Sequence, residues 1–446
     1  MEYEDRLWQF TLDPVGGTCR VAVFDTEREL FDAARAGQPR GEVFRYFESR
    51  SPARGGWSGS RFSSWRYQAP SDPAVVEHMG RELWEALPKS LQASLEGGTP
   101  LRPARIKIAS DARRLTDLPW EWMYGPSGWI ALDERVRIVR SVPLRFAARP
   151  LPLTGPIRVL VCISNPKDER MMDSGREIAV LDQALARGSF DCTRLVDPTL
   201  QQLQDALRAR PLVLHYVGHA GVNPDESGNL ILPTDRGTTY WVDGPALVNA
   251  IPASVHLLCA ATCFSALNYD VRGLSRFAFA PPDLALPTVV TNQSQPADQG
   301  GGSSAAFWET FYAQLAETGD IVEATHEGRR AAFTTTTADW GSWLAVLRDN
   351  TGRLFLPPSG LESLALPESR DDEIAQRLRR QLANDFARSL SSGSEPGEVA
   401  DMEIPASDMK SSRLRGWSMK RMPTSLAHGS RARELMDSLV DRSRDE

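Results

Sequence analysis

Two short apolar runs constrain the chain more than anything else in it: Val213-Leu-His-Tyr-Val-Gly-His-Ala-Gly221 and Val255-His-Leu-Leu-Cys-Ala-Ala-Thr-Cys-Phe-Ser265. Each is a stretch of apolar and β-branched residues that stops abruptly at small or polar ones. A strand buried on both faces of a parallel sheet reads this way, because no alternate position has to meet water. The first run delivers His219 at its end and the second delivers Cys263. In open α/β sheets chemistry gathers beyond the carboxyl ends of the strands, so the pattern predicts that the two side chains share one crevice. A thiol is a weak nucleophile until a neighbouring imidazole takes or shares its proton, and that task falls to His219. The alternative for Cys263 is a buried core thiol of the kind expected at Cys259.

Around these runs the patterns alternate between strand and helix. Strands are expected at residues 157–163, 191–196, 212–217, 254–260 and 288–292, with two short ones within 229–242. Helices are expected at 176–187, 200–208, 244–250, 304–317 and 321–333, and 343–347 and 353–356 read as closing strands. Such alternation implies a mostly parallel sheet sandwiched by helices. The segment Pro150-Leu-Pro-Leu-Thr-Gly-Pro156 punctuates the chain as a boundary. Before it, residues 1–150 read as a smaller α+β unit. It has a strand at 18–24, helices at 27–36 and 73–87, and half-buried alternating strands at 105–109 and 135–139. Residues 38–72 read as loops with an irregular strand. Leu118-Pro-Trp-Glu-Trp-Met-Tyr124 reads as a packing corner, since two adjacent indoles need burial. Residues 151–358 form the principal domain, and residues 359–446 a partly disordered tail with helices at 371–390 and 431–440.

Composition excludes several classes. A net charge of −7 gives no reason to expect nucleic acid, and no apolar run reaches the roughly 20 residues that span a bilayer. The start, Met1-Glu-Tyr-Glu-Asp-Arg6, lacks the basic-then-apolar layout of a secretory signal. Five cysteines, Cys19, Cys162, Cys192, Cys259 and Cys263, are an odd number without metal-ligand spacing, so neither a metal nor a cofactor is expected. A reducing cytoplasm fits this usage.

The motifs also carry a family resemblance. His215-Tyr-Val-Gly-His-Ala220 and Cys259-Ala-Ala-Thr-Cys-Phe-Ser265 resemble the two active-site elements of the CHAT domain, a caspase-like, separase-related peptidase module of bacterial proteins. The His precedes the Cys by roughly 45 residues, near the caspase spacing. Leu118-Pro-Trp-Glu followed by Val136-Arg-Ile-Val-Arg140 is similar to the family's "LPWE" element and the arginine-ended strand after it. The later pattern is met by Gln293-Ser-Gln-Pro-Ala-Asp298, Phe307, Phe311-Tyr312 and Leu315. The resemblance covers roughly residues 100–357.

It implies a cysteine endopeptidase acting on a protein through a His219/Cys263 dyad. Backbone N–H groups at Ala220, Gly221 and Cys263 would hold the oxyanion, and Ala261, Gln295 and Asp298 would line the substrate pocket. Two positions depart from the pattern. Ala220 stands where glycine usually follows the histidine, and Ala261 stands where Arg-cutting relatives carry an aspartate, which removes the expectation of a basic preference. His215 and His256 are read as structural. The resemblance further implies a regulated role in bacterial antiviral defence or cell death, with a gasdermin-like pore former as an example of a substrate. An activating protein partner would dock through residues 371–446; no nucleic acid or membrane is expected as a partner. The competing reading is an inactive caspase-fold scaffold that docks partners through its tail.

Overall fold

Apolar runs too long and too uniform to leave one face wet end up in the middle of one large sheet. The computed structural model describes residues 3–12, 18–35, 42–45, 72–95, 98–110, 118–142, 150–169, 174–186, 189–222, 228–243, 246–247, 250–262, 288–293, 302–335, 339–347 and 352–356. All of them belong to a unit spanning Met1–Leu366; a second unit, Pro367–Glu446, contains none of them, so the expected tail helices lie outside the described residues.

The first part of the chain supplies β1 (Glu4–Leu12), β2 (Thr18–Phe24), α1 (Glu27–Arg35), β3 (Glu42–Arg45), α2 (Pro73–Ala86), α3 (Lys89–Leu95) and β4 (Ala104–Ser110). A tight turn of helix over Trp120–Trp122 and the small ladder β5 (Tyr124–Gly125) and β6 (Gly128–Trp129) lead to β7 (Val136–Ser141) and β8 (Leu151–Pro152). Then come β9 (Ile157–Ser164), α4 (Ser174–Ala186), β10 (Phe190–Val196), α5 (Leu200–Leu207) and β11 (Val213–Gly218). Three short strands follow, β12 (Ala220–Val222), β13 (Gly228–Pro233) and β14 (Thr239–Asp243), before β15 (Leu257–Thr262) and β16 (Thr288–Asn292). The described chain ends with α6 (Gly302–Thr318), α7 (Ile321–Thr335), β17 (Trp343–Leu347) and β18 (Phe355–Leu356).

Eleven strands form one sheet in the order β10-β9-β11-β15-β16-β17-β7-β4-β1-β2-β3. Most neighbours in this sheet run parallel; β1/β2, β2/β3 and β16/β17 are its antiparallel pairs. The strand expected to close the sheet, β17, instead sits inside it, with β16 on one side and β7 on the other. Its flanks are buried throughout, which is why its five apolar residues carry no alternation. The other expected closing strand, β18, pairs with β8 in a separate two-stranded ladder.

Helices cover both faces. On one side Val213, Val217, Leu257 and Val290 pack under the aromatic stripe of α6, formed by Phe307, Trp308, Phe311, Tyr312 and Leu315. On the other side Leu214, Tyr216 and Leu258 pack against Leu203 and Leu207 of α5 and Leu230 and Leu232 of β13. Helix starts follow local rules. Asp72 Oδ1 accepts the Ala74 N–H ahead of Pro73, and Thr199 with Gln202 forms a reciprocal capping box on α5.

The strands expected to be half buried, β4 and β7, are buried on both faces. Their charged residues are paired rather than solvated. Arg105 reaches Asp5 through two nitrogens at 2.7 Å each, Lys107 reaches Asp5 at 3.2 Å, and Arg137 grips Glu323 at 2.9 Å through both its contacts. An alternation of charged and apolar residues here records ion pairs to distant segments, not a wet face.

Candidate active site

His219 occupies the point where the chain leaves the large sheet. Gly218 is the last residue of β11, and Ala220 opens β12, which pairs antiparallel with β13 in a second, three-stranded sheet. On the neighbouring strand the register is strict: Val213 pairs with Leu257, His215 with Cys259, Val217 with Ala261 and Gly218 with Thr262. Thr262 is followed directly by Cys263 in the sequence. Cys263 itself lies outside the described residues, as do Gln295 and Asp298. Ala261 is described; it is buried in the core beside its ladder partner Val217.

The His219 ring is half buried, and its Nε2 is enclosed without a hydrogen-bond partner among the described residues. Its backbone carbonyl is held from two sides. The Ile231 N–H donates to it at 3.2 Å, and the Tyr216 hydroxyl donates to it at 2.8 Å. Tyr216 reaches that oxygen by folding forward over Gly218. A Cβ at position 218 would stand 2.5 Å from the Tyr216 hydroxyl and 2.8 Å from the Ser164 carbonyl, so only glycine fits between them.

The peptides after His219 differ in what they leave available. Ile231 N–H bonding to the His219 carbonyl fixes the hydrogen-bond phase of the β12/β13 ladder. Antiparallel alternation then commits the Gly221 N–H to Asn229, while the Ala220 N–H faces away from β13. Among the described residues, the non-glycine positions with positive φ are Asp197 (49°) and Arg210 (56°). Ala220 lies in the extended strand β12, a conformation open to any residue.

One turn of ladder further in lies a second His/Cys pair, His215 and Cys259, directly opposed. His215 is fully buried, its Nδ1 2.6 Å from the Tyr312 hydroxyl and its ring edge-on to Trp308 at 4.6 Å. Burial drives the imidazole pKa down to about 3, and burial pushes the Cys259 thiol well above its ordinary range. Cys162 is likewise pushed up to about 12 by burial, with a smaller contribution from Asp197. These are neutral core groups, in keeping with the structural reading of His215. His215 is thus sealed in the core, whereas His219, four residues on, stands half buried where β11 ends.

The remaining motif residues build the surroundings. Glu121 of the Leu-Pro-Trp-Glu element and Arg140 of β7 form a buried pair, which Gln293 joins by donating to Glu121 at 3.2 Å and to the Gly341 carbonyl at 2.7 Å. Gln293 is the last described residue before the segment carrying Gln295 and Asp298. The roles of Tyr216, Ser164 and Ile231 were not foreseen from the sequence; the tyrosine between the two histidines of the motif was their one visible sign.

A mostly parallel sheet thus lies between helical layers, with a histidine at one strand end and the adjoining strand leading in sequence to a cysteine. The chain belongs to the CHAT domain family, whose model matches residues 77–382. Among solved structures it is similar to the Arg specific cysteine proteinase gingipain R (RGPB), at 11% identity and a TM-score of 0.42, covering 61% of this chain and 69% of that one. It is also similar to the complex of Porphyromonas gingivalis RgpB pro- and mature domains, at 11% identity, TM-score 0.41, and coverage of 61% and 70%. The Saccharomyces cerevisiae separase-securin complex matches at 10% identity and a TM-score of 0.39, covering 77% of this chain but 30% of that one. No curated protein matches the chain.

Proposed function

We propose that the protein is a cysteine endopeptidase in which His219 and Cys263 form the catalytic dyad. The observation that carries this reading is the last rung of the β11/β15 ladder, Gly218 beside Thr262. Parallel neighbours lie about 4.8 Å apart, and each next Cα follows within about 3.8 Å. His219 and Cys263 therefore follow from adjacent positions on two strands running the same way.

In the proposed reaction the Cys263 thiol passes its proton to His219, and the sulfur attacks the scissile carbonyl carbon. The tetrahedral oxyanion is held by the Ala220 N–H and by backbone N–H at Cys263. The C–N bond breaks as His219 returns the proton to the leaving amine, leaving a thioester. Water then adds to the thioester, releasing the carboxylic acid and restoring the thiol. The substrate is a protein chain. With alanine at position 261, cleavage carries no strong preference for Arg or Lys. A regulated role in bacterial defence or cell death is the setting that family membership favours.

The test is labelling with a thiol-directed activity probe, read by peptide mapping. Cys263 is expected to label in the wild-type chain and to lose at least tenfold of its rate in His219→Ala. Equal labelling in both would refute the dyad and favour a scaffold without catalysis.

A further inference from the structure

We infer that the Tyr216 hydroxyl is a positioning group for the oxyanion site, acting through the peptide that joins His219 to Ala220. The inference rests on the peptidase reading above and adds a residue to it. A peptide unit is planar and, throughout the described residues, trans, so its C=O and N–H point in opposite directions. Whatever fixes the His219 carbonyl therefore aims the Ala220 N–H. That carbonyl is fixed by the Ile231 N–H at 3.2 Å on the β13 side and by the Tyr216 hydroxyl at 2.8 Å. The Ile231 bond is the longer of the two.

The hydroxyl proton has two carbonyls within reach, His219 and Ile231, the latter at 2.6 Å. Ser164 Oγ also donates to the Ile231 carbonyl at 2.6 Å, so that oxygen keeps a donor when the tyrosine proton is given to His219. Burial, the largest influence on Tyr216, holds its pKa well above the ordinary range, so the group stays a protonated donor. Gly218 completes the device, because any side chain there would displace the hydroxyl. Residues of three strands, Ser164, Tyr216, Gly218 and Ile231, thus surround the His219 carbonyl.

Two small electrophiles separate this role from a general one. Iodoacetamide alkylates the sulfur by direct displacement of iodide and forms no oxyanion. p-Nitrophenyl acetate passes through a tetrahedral oxyanion, forming a thioester at Cys263 and releasing p-nitrophenolate. Both rates are measured at Cys263 by peptide mapping and by difference from Cys263→Ala, with thermal unfolding followed in parallel. In Tyr216→Phe, acylation is expected to fall roughly tenfold or more, while alkylation stays within about twofold. Gly218→Ala is expected to show the same split, since it displaces the hydroxyl without removing it. Equal losses in both reactions, or none in either, overturn the inference while the dyad stands. A Cys263 that reacts with neither reagent in the wild-type chain overturns the peptidase reading and this inference together.

Discussion

The Glu121 carboxylate and the Arg140 guanidinium, 19 residues apart in sequence, meet in a fully buried fork: Nε to Oε1 at 2.8 Å and Nη2 to Oε2 at 2.5 Å. Both side chains are at most 1% exposed. Burial alone would raise the glutamate's pKa; the charge and hydrogen bonds of Arg140, with the charge of Arg329, overcome it and hold the group below its usual value. Arg329 in turn is brought down to about 10, chiefly by its own burial.

Removing one half of that fork strands the other in a dry interior. Glu121→Gln is expected to destabilise the fold by about 3–5 kcal/mol. Chemical denaturation monitored by tryptophan fluorescence checks it, and a loss under about 1 kcal/mol would contradict the assignment. The sign with pH follows from a depressed acid: the contribution is present above the unfolded pKa of about 4.3 and disappears as pH falls through the lower folded value.

His215 behaves in the complementary way. Its folded pKa of about 3 lies below the unfolded value, so protons bind the unfolded chain first as pH drops. Stability attributable to this residue is complete above about pH 6.5 and declines by up to ~1.4 kcal/mol per pH unit toward the folded value. His215→Gln keeps an acceptor for Tyr312 and should flatten that part of a pH series of unfolding midpoints. Unchanged slopes between pH 6 and 4 would show that the imidazole is not held neutral.

Asp320 carries two duties at the start of α7. Its Oδ1 accepts the Val322 N–H at 2.9 Å, and its Oδ2 accepts the Tyr3 hydroxyl at 2.8 Å. Burial raises its pKa, with Tyr3 and Arg105 pulling the other way. A raised acid contributes most when protonated, and its contribution weakens as pH climbs from the unfolded value through the folded one. Asp320→Asn retains a capping oxygen and should lie within about 1 kcal/mol of wild type at pH 7, whereas Asp320→Ala should cost about 1–2 kcal/mol. Thermal unfolding of the pair distinguishes a helix cap from an obligatory charge.

The position after His219 offers a functional comparison. Ala220→Gly preserves the N–H, and turnover at Cys263 is expected to change less than about twofold. Ala220→Pro deletes that donor and should lower acylation by roughly a hundredfold, the usual scale for losing one oxyanion contact. The p-nitrophenyl acetate rate measures both, and parity between glycine and proline would remove Ala220 from the mechanism.

Much of this architecture was legible because strands β9, β11, β15 and β16 are buried on both sides and read as unbroken apolar runs. The first strand was missed: Leu7, Trp8 and Phe10 are buried there, yet the surrounding Glu4, Asp5 and Arg6 give the segment the look of a polar terminus. Alternation misled at β4 and β7, since Arg105 and Arg137 find partners 100 and 186 residues away, a distance no local period reports. His219 was readable from a strand that ends. The clasp on its carbonyl was not, because it depends on β13 arriving beside β11, and nothing in the run Val213–Gly218 encodes that neighbour.

The junction of β17 with β7 has a practical corollary. The two strands share a short register, Val346 with Arg140 and Leu347 with Ser141. A fragment starting after Pro150 would keep both sequence motifs yet uncover the edge of β17 at Val346 and Leu347, where β7 is the neighbouring strand. Such a bare border recruits other chains. Anyone trimming this protein to its reactive half should expect filaments or precipitate, and would do better to keep residues 4–141 as its cover.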